Sequence, residues 1–322
     1  ELTFNINMEN KIMENQIKYT FLLPAYKPNF LAEALRSIKS QTYSDFKVLV
    51  SDDCSPHDLK SIYNKVCGDD ARFSYRRNEV NMGSKSLVSH WNLLVDMCDT
   101  EYFIMASDDD LYEPEFMKEI DSLVCRYPSA NLFRAKVREI DEHGIEIRQE
   151  LPTQEYLDPL HFIERMYKTG FISCEANYVY KTKVLKDNNG YVDFPKAWFS
   201  DDATHIMMAM AGCCTTQKVA FSYRTSELSI SGNRRGKNEC IAKLKASYDF
   251  YEWMNKFIHQ FDTNDELVRS IKEEYKAKVV RNVKDFIYGC PFHYFIRYLI
   301  VCPRSLNLNR MRMLFHWFRW RL

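Results

Sequence analysis

Glycine is scarce in this chain, 9 of 322 residues, and no GxGxxG or GxxxxGKS/T pattern occurs. Dinucleotide cofactors and P-loop chemistry, which bind phosphates through such loops, are therefore disfavoured. No run of about eighteen apolar residues occurs, so no helix is expected to span a bilayer. No charged leader followed by an apolar stretch opens the sequence, so secretion is not expected either. Net charge is absent too, since Lys+Arg and Asp+Glu both number 44. That excludes a polyanion-binding surface spread over the whole chain and makes nucleic acid an unexpected partner. The ten cysteines include no CxxC pair, and the vicinal Cys213 and Cys214 are neighbours of a kind that rarely bridge. Reduced thiols in a cytoplasmic protein are expected.

What the chain has in quantity is apolar residues, 46%, enough to fill the core of a large α/β domain with an appendage. Residues 1–16 are polar and aperiodic, and are expected to form a flexible lead-in. Short β-rich runs then alternate with helical patterns, the arrangement of a mostly parallel sheet covered by helices. Strands are expected at Tyr19 to Pro24, Phe46 to Asp52, Phe73 to Arg77 and Tyr102 to Ala106, with helices at Phe30 to Ser40, Asp58 to Cys67 and along the Leu87, Trp91, Leu94, Val95 stripe. A further helix is expected over 114–127. Turns between strands are expected at His143-Gly144 and at Asp187 to Gly190.

The fourth strand runs into Asp108, Asp109 and Asp110. Three adjacent carboxylates repel one another, so either their pKa values rise or a cation sits among them. At the carboxyl edge of an α/β sheet, a divalent metal with a phosphate-bearing substrate is the simpler expectation. The alternative is a solvated acidic turn that caps the next helix. A second acidic pair, Asp201-Asp202, opens a helix at Ser200, where capping alone would also explain it. The loop from Ser229 to Gly236, with Arg234 and Arg235, is basic and suited to folding over an anion.

Several motifs in order resemble glycosyltransferase family 2, the GT-A-type nucleotide-sugar transferases, over roughly residues 18 to 235. Leu23-Pro24-Ala25-Tyr26-Lys27 is similar to its opening Pro-x-Tyr-Asn, with lysine where asparagine is usual. Val50-Ser51-Asp52-Asp53-Cys54-Ser55 is similar to its Val-Asp-Asp-Gly-Ser, and Asn81-Met82-Gly83 with Asn92 to its Asn-x-Gly. The triple aspartate followed by Leu-Tyr-Glu-Pro is similar to its DXD region. The resemblance implies a GT-A mixed sheet flanked by helices, with a donor half over 17–113, an acceptor half over 114–236 and a helical C-terminal region over 237–322.

It also implies roles. Pro24, Ala25 and Tyr26 lie where the family contacts the nucleoside, and Asp52 or Asp53 where a carboxylate accepts a base N–H. Lys85 and, from their loop, Arg234 and Arg235 would reach the diphosphate. Asp108 would hold the ribose, and Asp109 with Asp110 a Mg2+ or Mn2+ ion. Asp202 would be the general base of an inverting transfer and Asp201 the acceptor contact. Trp198 would either stack on a sugar or fill the core. The partners implied are a nucleotide-sugar donor, UDP by family prior, and a glycan or lipid-linked glycan acceptor. One departure is Tyr223-Arg224-Thr225-Ser226, where the family often has Tyr-Arg-x-His. Serine cannot replace imidazole on a metal, which leaves open a weakened relative that only binds. A sugar-phosphate nucleotidyltransferase ranks low, since its Gly-rich opening loop is missing.

From Phe286 onward there are six arginines, ten aromatic residues and no acidic residue. Met311, Leu314, Phe315, Phe318 and Leu322 share one helical face, opposite Arg312, His316 and Arg319. A basic amphipathic helix of this kind suits the cytoplasmic face of an anionic membrane as a peripheral contact. The alternative is that this face packs on the main domain.

Overall fold

The computed structural model of the chain describes residues 17–168, 170–226, 237–287, 290–301, 306 and 310–321. The expected lead-in and the Ser229 to Gly236 loop, with Arg234 and Arg235, lie outside the described residues.

Strand β1 (Tyr19–Ala25) is buried along its length, as an apolar run covered on both faces must be. Alternation then splits its side chains, sending Phe21 and Leu23 into one core cluster and Leu22 into the other. Helix α1 (Leu31–Lys39) buries Leu31, Ala34, Leu35 and Ile38, one stripe at helical spacing. Next come β2 (Phe46–Asp52), α2 (Leu59–Cys67), β3 (Phe73–Arg77), α3 (Leu87–Met97) and β4 (Tyr102–Met105). The caps are local: Asp58 accepts the Ser61 N–H at 3.0 Å and Ser86 that of Ser89 at 3.0 Å. β1 pairs in parallel with β2 and β4, and β2 with β3.

The second half is mixed. It contains β5 (Leu111–Tyr112), α4 (Phe116–Arg126), β6 (Leu132–Ile140), β7 (Glu146–Gln149), β8 (Tyr156–Leu157), α5 (Pro159–Tyr167), β9 (Tyr178–Lys181), α6 (Thr182–Asp187), α7 (Ser200–Met208) and β10 (Cys213–Arg224). Sheet order is β3-β2-β1-β4-β9-β6-β10-β5, with β7 beside β6 and β8 beside β10. β9 runs antiparallel between β4 and β6, so the parallel run of β3, β2, β1 and β4 ends where the second half begins. The turn at Gly144 links two strands as expected. The one at Asp187 to Gly190 instead ends α6, because the carbonyls of Val184, Leu185 and Lys186 there take the backbone N–H groups of residues 188–190.

Helices α8 (Lys237–Phe257) and α9 (Glu266–Ile287) bury Leu244, Phe250, Met254, Ile271, Tyr275 and Val279 in the same cluster as Leu22, Trp91 and Phe103. The C-terminal helices thus complete the cover over one face of the sheet. Trp198 belongs to this packing, with its ring centroid 5.2 Å from Phe286 and Lys243 Nζ 4.4 Å above it. Helices α10 (Phe292–Val301) and α11 (Arg310–Arg321) follow. On α11, Met311, Phe315 and Phe318 are exposed while Met313 is buried; Leu314 of the expected apolar face packs against the core, and Leu322 lies outside the described residues. No helix among the described residues is long and apolar enough to cross a membrane.

One fully buried ion pair anchors the middle of the sheet. Arg134 on β6 bonds both oxygens of Glu150 at 2.8 and 2.9 Å and the Ile172 carbonyl at 2.7 Å. Removing one partner strands a charge in the core, so Glu150→Ala should lower unfolding free energy by about 3–5 kcal/mol. Urea denaturation measures this, and a loss below about 1 kcal/mol would contradict the pair's anchoring role.

Candidate active site

The carboxyl ends of β1, β2 and β4 meet through the acidic residues. Asp108 Oδ2 accepts the backbone N–H groups of Tyr26 at 2.9 Å and Lys27 at 2.8 Å. The Ser55 hydroxyl donates to the Tyr26 carbonyl at 2.7 Å. The loop carrying Pro24, Ala25 and Tyr26 is thereby fixed between the other two strand ends, with the Tyr26 side chain left exposed.

The three neighbouring aspartates do not converge on one point: Asp108 and Asp109 face Lys27, and Asp110 faces Ser107 and Arg224. Asp110 is buried, and its oxygens take the Ser107 hydroxyl and, at 2.8 Å, the Arg224 N–H. Burial first, and then the Asp109 charge, push its pKa up to about 8. Each of its oxygens is held by a donor of the protein, so here it acts as a strut between the 108–110 loop and β10. Asp108 Oδ1 and Asp109 Oδ2 do face a common cation, the Lys27 ammonium, at 3.7 and 3.0 Å. Burial works against that charge, but the two carboxylates outweigh it and raise the Lys27 pKa. The remaining repulsion is thus met by an ammonium, two backbone amides and a carboxyl that favours its neutral form.

Among the described residues no group of three or more His, Cys, Asp or Glu is arranged to hold a metal alone. Two converging carboxylate oxygens do fit the usual way a Mg2+ or Mn2+ ion is held together with substrate phosphates.

Asp52 and Asp53 each hold several donors of the protein. Asp52 is wholly buried; it accepts the Ser55 N–H at 2.8 Å, the Tyr75 hydroxyl at 2.6 Å and the Arg77 guanidinium. Asp53 gathers the next loop by accepting Asn78 Nδ2 at 2.8 Å and the N–H groups of Met82 and Gly83 at 2.9 and 2.7 Å. A Cβ at Gly83 would stand 3.0 Å from Asp53 Oδ2, so the glycine of the Asn-Met-Gly motif permits this close wrap. Through these bonds Asp53 serves as a loop clamp. Asn92 accepts the Tyr191 N–H at 2.9 Å and so works as a brace. Lys85 is exposed at the start of α3.

Asp201 and Asp202 lie in the first turn of α7. Asp202 Oδ2 accepts from Lys278 of α9 at 2.9 Å. Burial, then the Asp202 charge, raises the Asp201 pKa to about 6. Glu175 lies beside them, taking the Tyr180 hydroxyl at 2.7 Å and the Tyr191 hydroxyl at 2.5 Å. The Cys174 thiol next to it, raised mainly by burial, is raised further by both Asp110 and Asp201. One side chain is therefore within electrostatic reach of both acidic loops. Among the described non-glycine residues, positive φ occurs at Cys54, after Asp52-Asp53, at Asn189, in the turn that ends α6, and at Lys196, Ala197 and Phe199, before Asp201. Backbone strain of that kind gathers at functional sites.

The amino-acid sequence matches Glycosyl transferase family 2 over residues 20–187. The chain belongs to that family. Its GT-A fold is shared with S. aureus TarS 1–349, solved in complex with UDP-GlcNAc, at a TM-score of 0.64 and 17% identity, over 94% of this chain and 92% of that one. A Pyrobaculum calidifontis mannosyltransferase, PcManGT, solved with GDP-Man and Mn2+, aligns at a TM-score of 0.56 and 12% identity over 92% and 78% of the two chains. In sequence, the Campylobacter jejuni GalNAc(5)-diNAcBac-PP-undecaprenol beta-1,3-glucosyltransferase is 30% identical over 94 residues, 29% of this chain and 30% of that protein. Protein CgeD of Bacillus subtilis is 25% identical over 137 residues, 40% and 32% of the two. The chain thus matches about a third of the length of these relatives.

Three residues of this family-2 site were not singled out by the sequence. Arg224, fully buried, donates from Nε to the Asp109 carbonyl at 2.9 Å and from Nη2 to Glu33 at 2.7 Å, under the Phe30 ring. Its place in the Tyr-Arg motif was the available signal. Lys27 was visible only as a departure from asparagine, and Lys278, 76 residues after Asp202, carried no signal. Ser226 is buried, and its hydroxyl has no hydrogen-bond partner among the described residues.

The raised Asp201 pKa has a measurable consequence. Above its unfolded value of 3.8 the folded chain holds a proton that the unfolded chain has lost, so this group's contribution falls as pH rises from about 4 to about 6. Asp201→Asn removes that fall. The variant's gain in melting temperature over the parent should be larger at about pH 7 than at about pH 4.5; an equal or smaller difference at the higher pH would contradict the assignment.

Proposed function

We propose that this family-2 protein is an inverting, metal-dependent glycosyltransferase. It moves one sugar from a nucleotide-sugar donor, first of all a UDP-sugar, to a hydroxyl of a glycan or lipid-linked glycan in surface polysaccharide synthesis. The observation that carries the reading is that Asp108 Oδ1 and Asp109 Oδ2 converge on one cation at the strand ends, within the segment that matches the family. The donor complexes of TarS and PcManGT support the choice of donor class.

In this reading Pro24, Ala25 and the exposed Tyr26 ring line the nucleoside. Asp52, held by Tyr75 and Arg77, sets the base-recognition loop. Asp108 fixes the strand end beneath the ribose, and Lys85, with Arg234 and Arg235 from their loop, serves the phosphates. A divalent ion at Asp108 Oδ1 and Asp109, when bound, supplies Lewis-acid neutralisation of the departing diphosphate. Asp202 is held by Lys278 through one oxygen and takes the proton of the attacking acceptor hydroxyl through the other, while Asp201 holds the acceptor. Attack from the face opposite the nucleotide inverts the anomeric carbon.

Nucleoside-diphosphate release with Mn2+ and a panel of sugar donors tests these roles. Asp202→Asn and Asp109→Asn should each lower kcat by about 100-fold or more. Asp110→Asn should stay within about tenfold of the parent, because an amide can still accept from Arg224 and meet the Ser107 hydroxyl. Full turnover by Asp202→Asn, or an Asp110→Asn variant as impaired as Asp109→Asn, would contradict the assignment. Ser226, where imidazole is usual, favours a second reading as a donor-binding relative; tight donor binding without any diphosphate release from the parent chain would select it.

The exposed Met311, Phe315 and Phe318 of α11, in an arginine-rich segment without acidic residues, support a peripheral contact with an anionic leaflet. Replacing Phe315 and Phe318 by Ser should reduce cosedimentation with vesicles containing phosphatidylserine several-fold. Unchanged partitioning would exclude the contact.

A further inference from the structure

Lys27 touches Asp108 in two ways. Its backbone N–H binds Oδ2 at 2.8 Å, while its ammonium is directed at Oδ1 and at Asp109 Oδ2, 3.7 and 3.0 Å away. Asp108 Oδ2 is already shared by two amides, so the carboxylate oxygens aimed at the ammonium are those through which this loop would meet any other cation. Lys27 keeps 30% of its side chain exposed, against 8% and 15% for the two aspartates. The carboxylates are fixed, and the cation is the partner with room to leave on a long, flexible stem.

We propose that Lys27 is a resident cation that holds the place of the divalent ion until the donor arrives, and that its ammonium then turns to the donor diphosphate. The inference rests on the donor-site reading given above and adds an order of binding to it. Charge balance explains the exchange. Two carboxylates alone are partly neutralised by one ammonium, and a dication that displaces it sets free a positive charge with no anion beside it. A sugar nucleotide brings two anionic phosphoryl groups, so with the donor in place the dication and the ammonium are both matched. Metal alone therefore competes with an intramolecular ion pair, whereas metal and nucleoside diphosphate assist one another reciprocally. An uncharged residue at this position would lack the device.

Electron paramagnetic resonance titration of Mn2+ into the full chain, with and without uridine diphosphate, tests the proposal without reference to turnover. The parent should bind Mn2+ alone weakly and about tenfold or more tightly with the nucleotide. Lys27→Met keeps the backbone bonds to Asp108 and should bind Mn2+ alone about tenfold more tightly than the parent, with the nucleotide tightening it by a smaller factor than in the parent. Lys27→Arg should behave like the parent. Equal Mn2+ affinity in the parent and Lys27→Met, or the same tightening by nucleotide in both, would overturn the resident-cation role while leaving the donor site intact. Asp109→Asn separates the two levels: it should lose the Mn2+ signal, and retention of parental binding there would overturn the donor-site reading and this inference with it.

Discussion

Negative charge crowded into the 108–110 loop at the end of β4 is the constraint around which the catalytic half is organised. Each carboxylate is reconciled with its neighbours by a different segment. Asp108 draws in the end of β1 through the Tyr26 and Lys27 amides, Asp109 engages the Lys27 ammonium, and Asp110 accepts from the Arg224 backbone of β10. Buried and charge-assisted hydrogen bonds of this kind are stronger than exposed ones and costly to leave half made. Satisfying the charge therefore also sets where the ends of β1, β4 and β10 stand.

The second acidic pair is placed by the opposite half and by the C-terminal helices together. The left-handed residues between Lys196 and Phe199 bring the chain sharply into α7, and Lys278 of α9 holds Asp202 from outside the segment matched to the family. Since α8 and α9 share a core cluster with the sheet, the position of Asp202 depends on packing that spans both. Glu175 takes the hydroxyls of Tyr180 and Tyr191 beside this pair.

Where periodicity is undisturbed, the sequence was read well. The spans of β2 and β3 and the start of α7 at Ser200 agree with the residues expected, and for β2 the largely buried apolar run leaves few alternatives. The short β5 and β8 and the helices α5 and α6 carry no pattern that the sequence made plain. Nor does β9: its antiparallel insertion between β4 and β6 is decided by long-range pairing that no local pattern encodes. In the site, the motifs located the acidic loops but not the use of each oxygen. That Asp110 answers to Arg224, 114 residues away, and that Asp53 clamps a loop, follow from tertiary geometry. The substitution of lysine at position 27 was legible as a departure, and its meaning only from where the ammonium points. Trp198, open between sugar stacking and the core, is drawn into the core by Phe286 and Lys243.

The most direct test of the central claim, that both acidic loops form one centre for sugar transfer, is anomalous diffraction from crystals containing Mn2+ and uridine diphosphate. The account predicts one dominant peak about 2.0–2.5 Å from an Asp109 carboxylate oxygen and in contact with the diphosphate, with that diphosphate on the side facing Asp201 and Asp202. A manganese and diphosphate bound away from residues 108–110, or lying where a sugar could not reach Asp202, would contradict it.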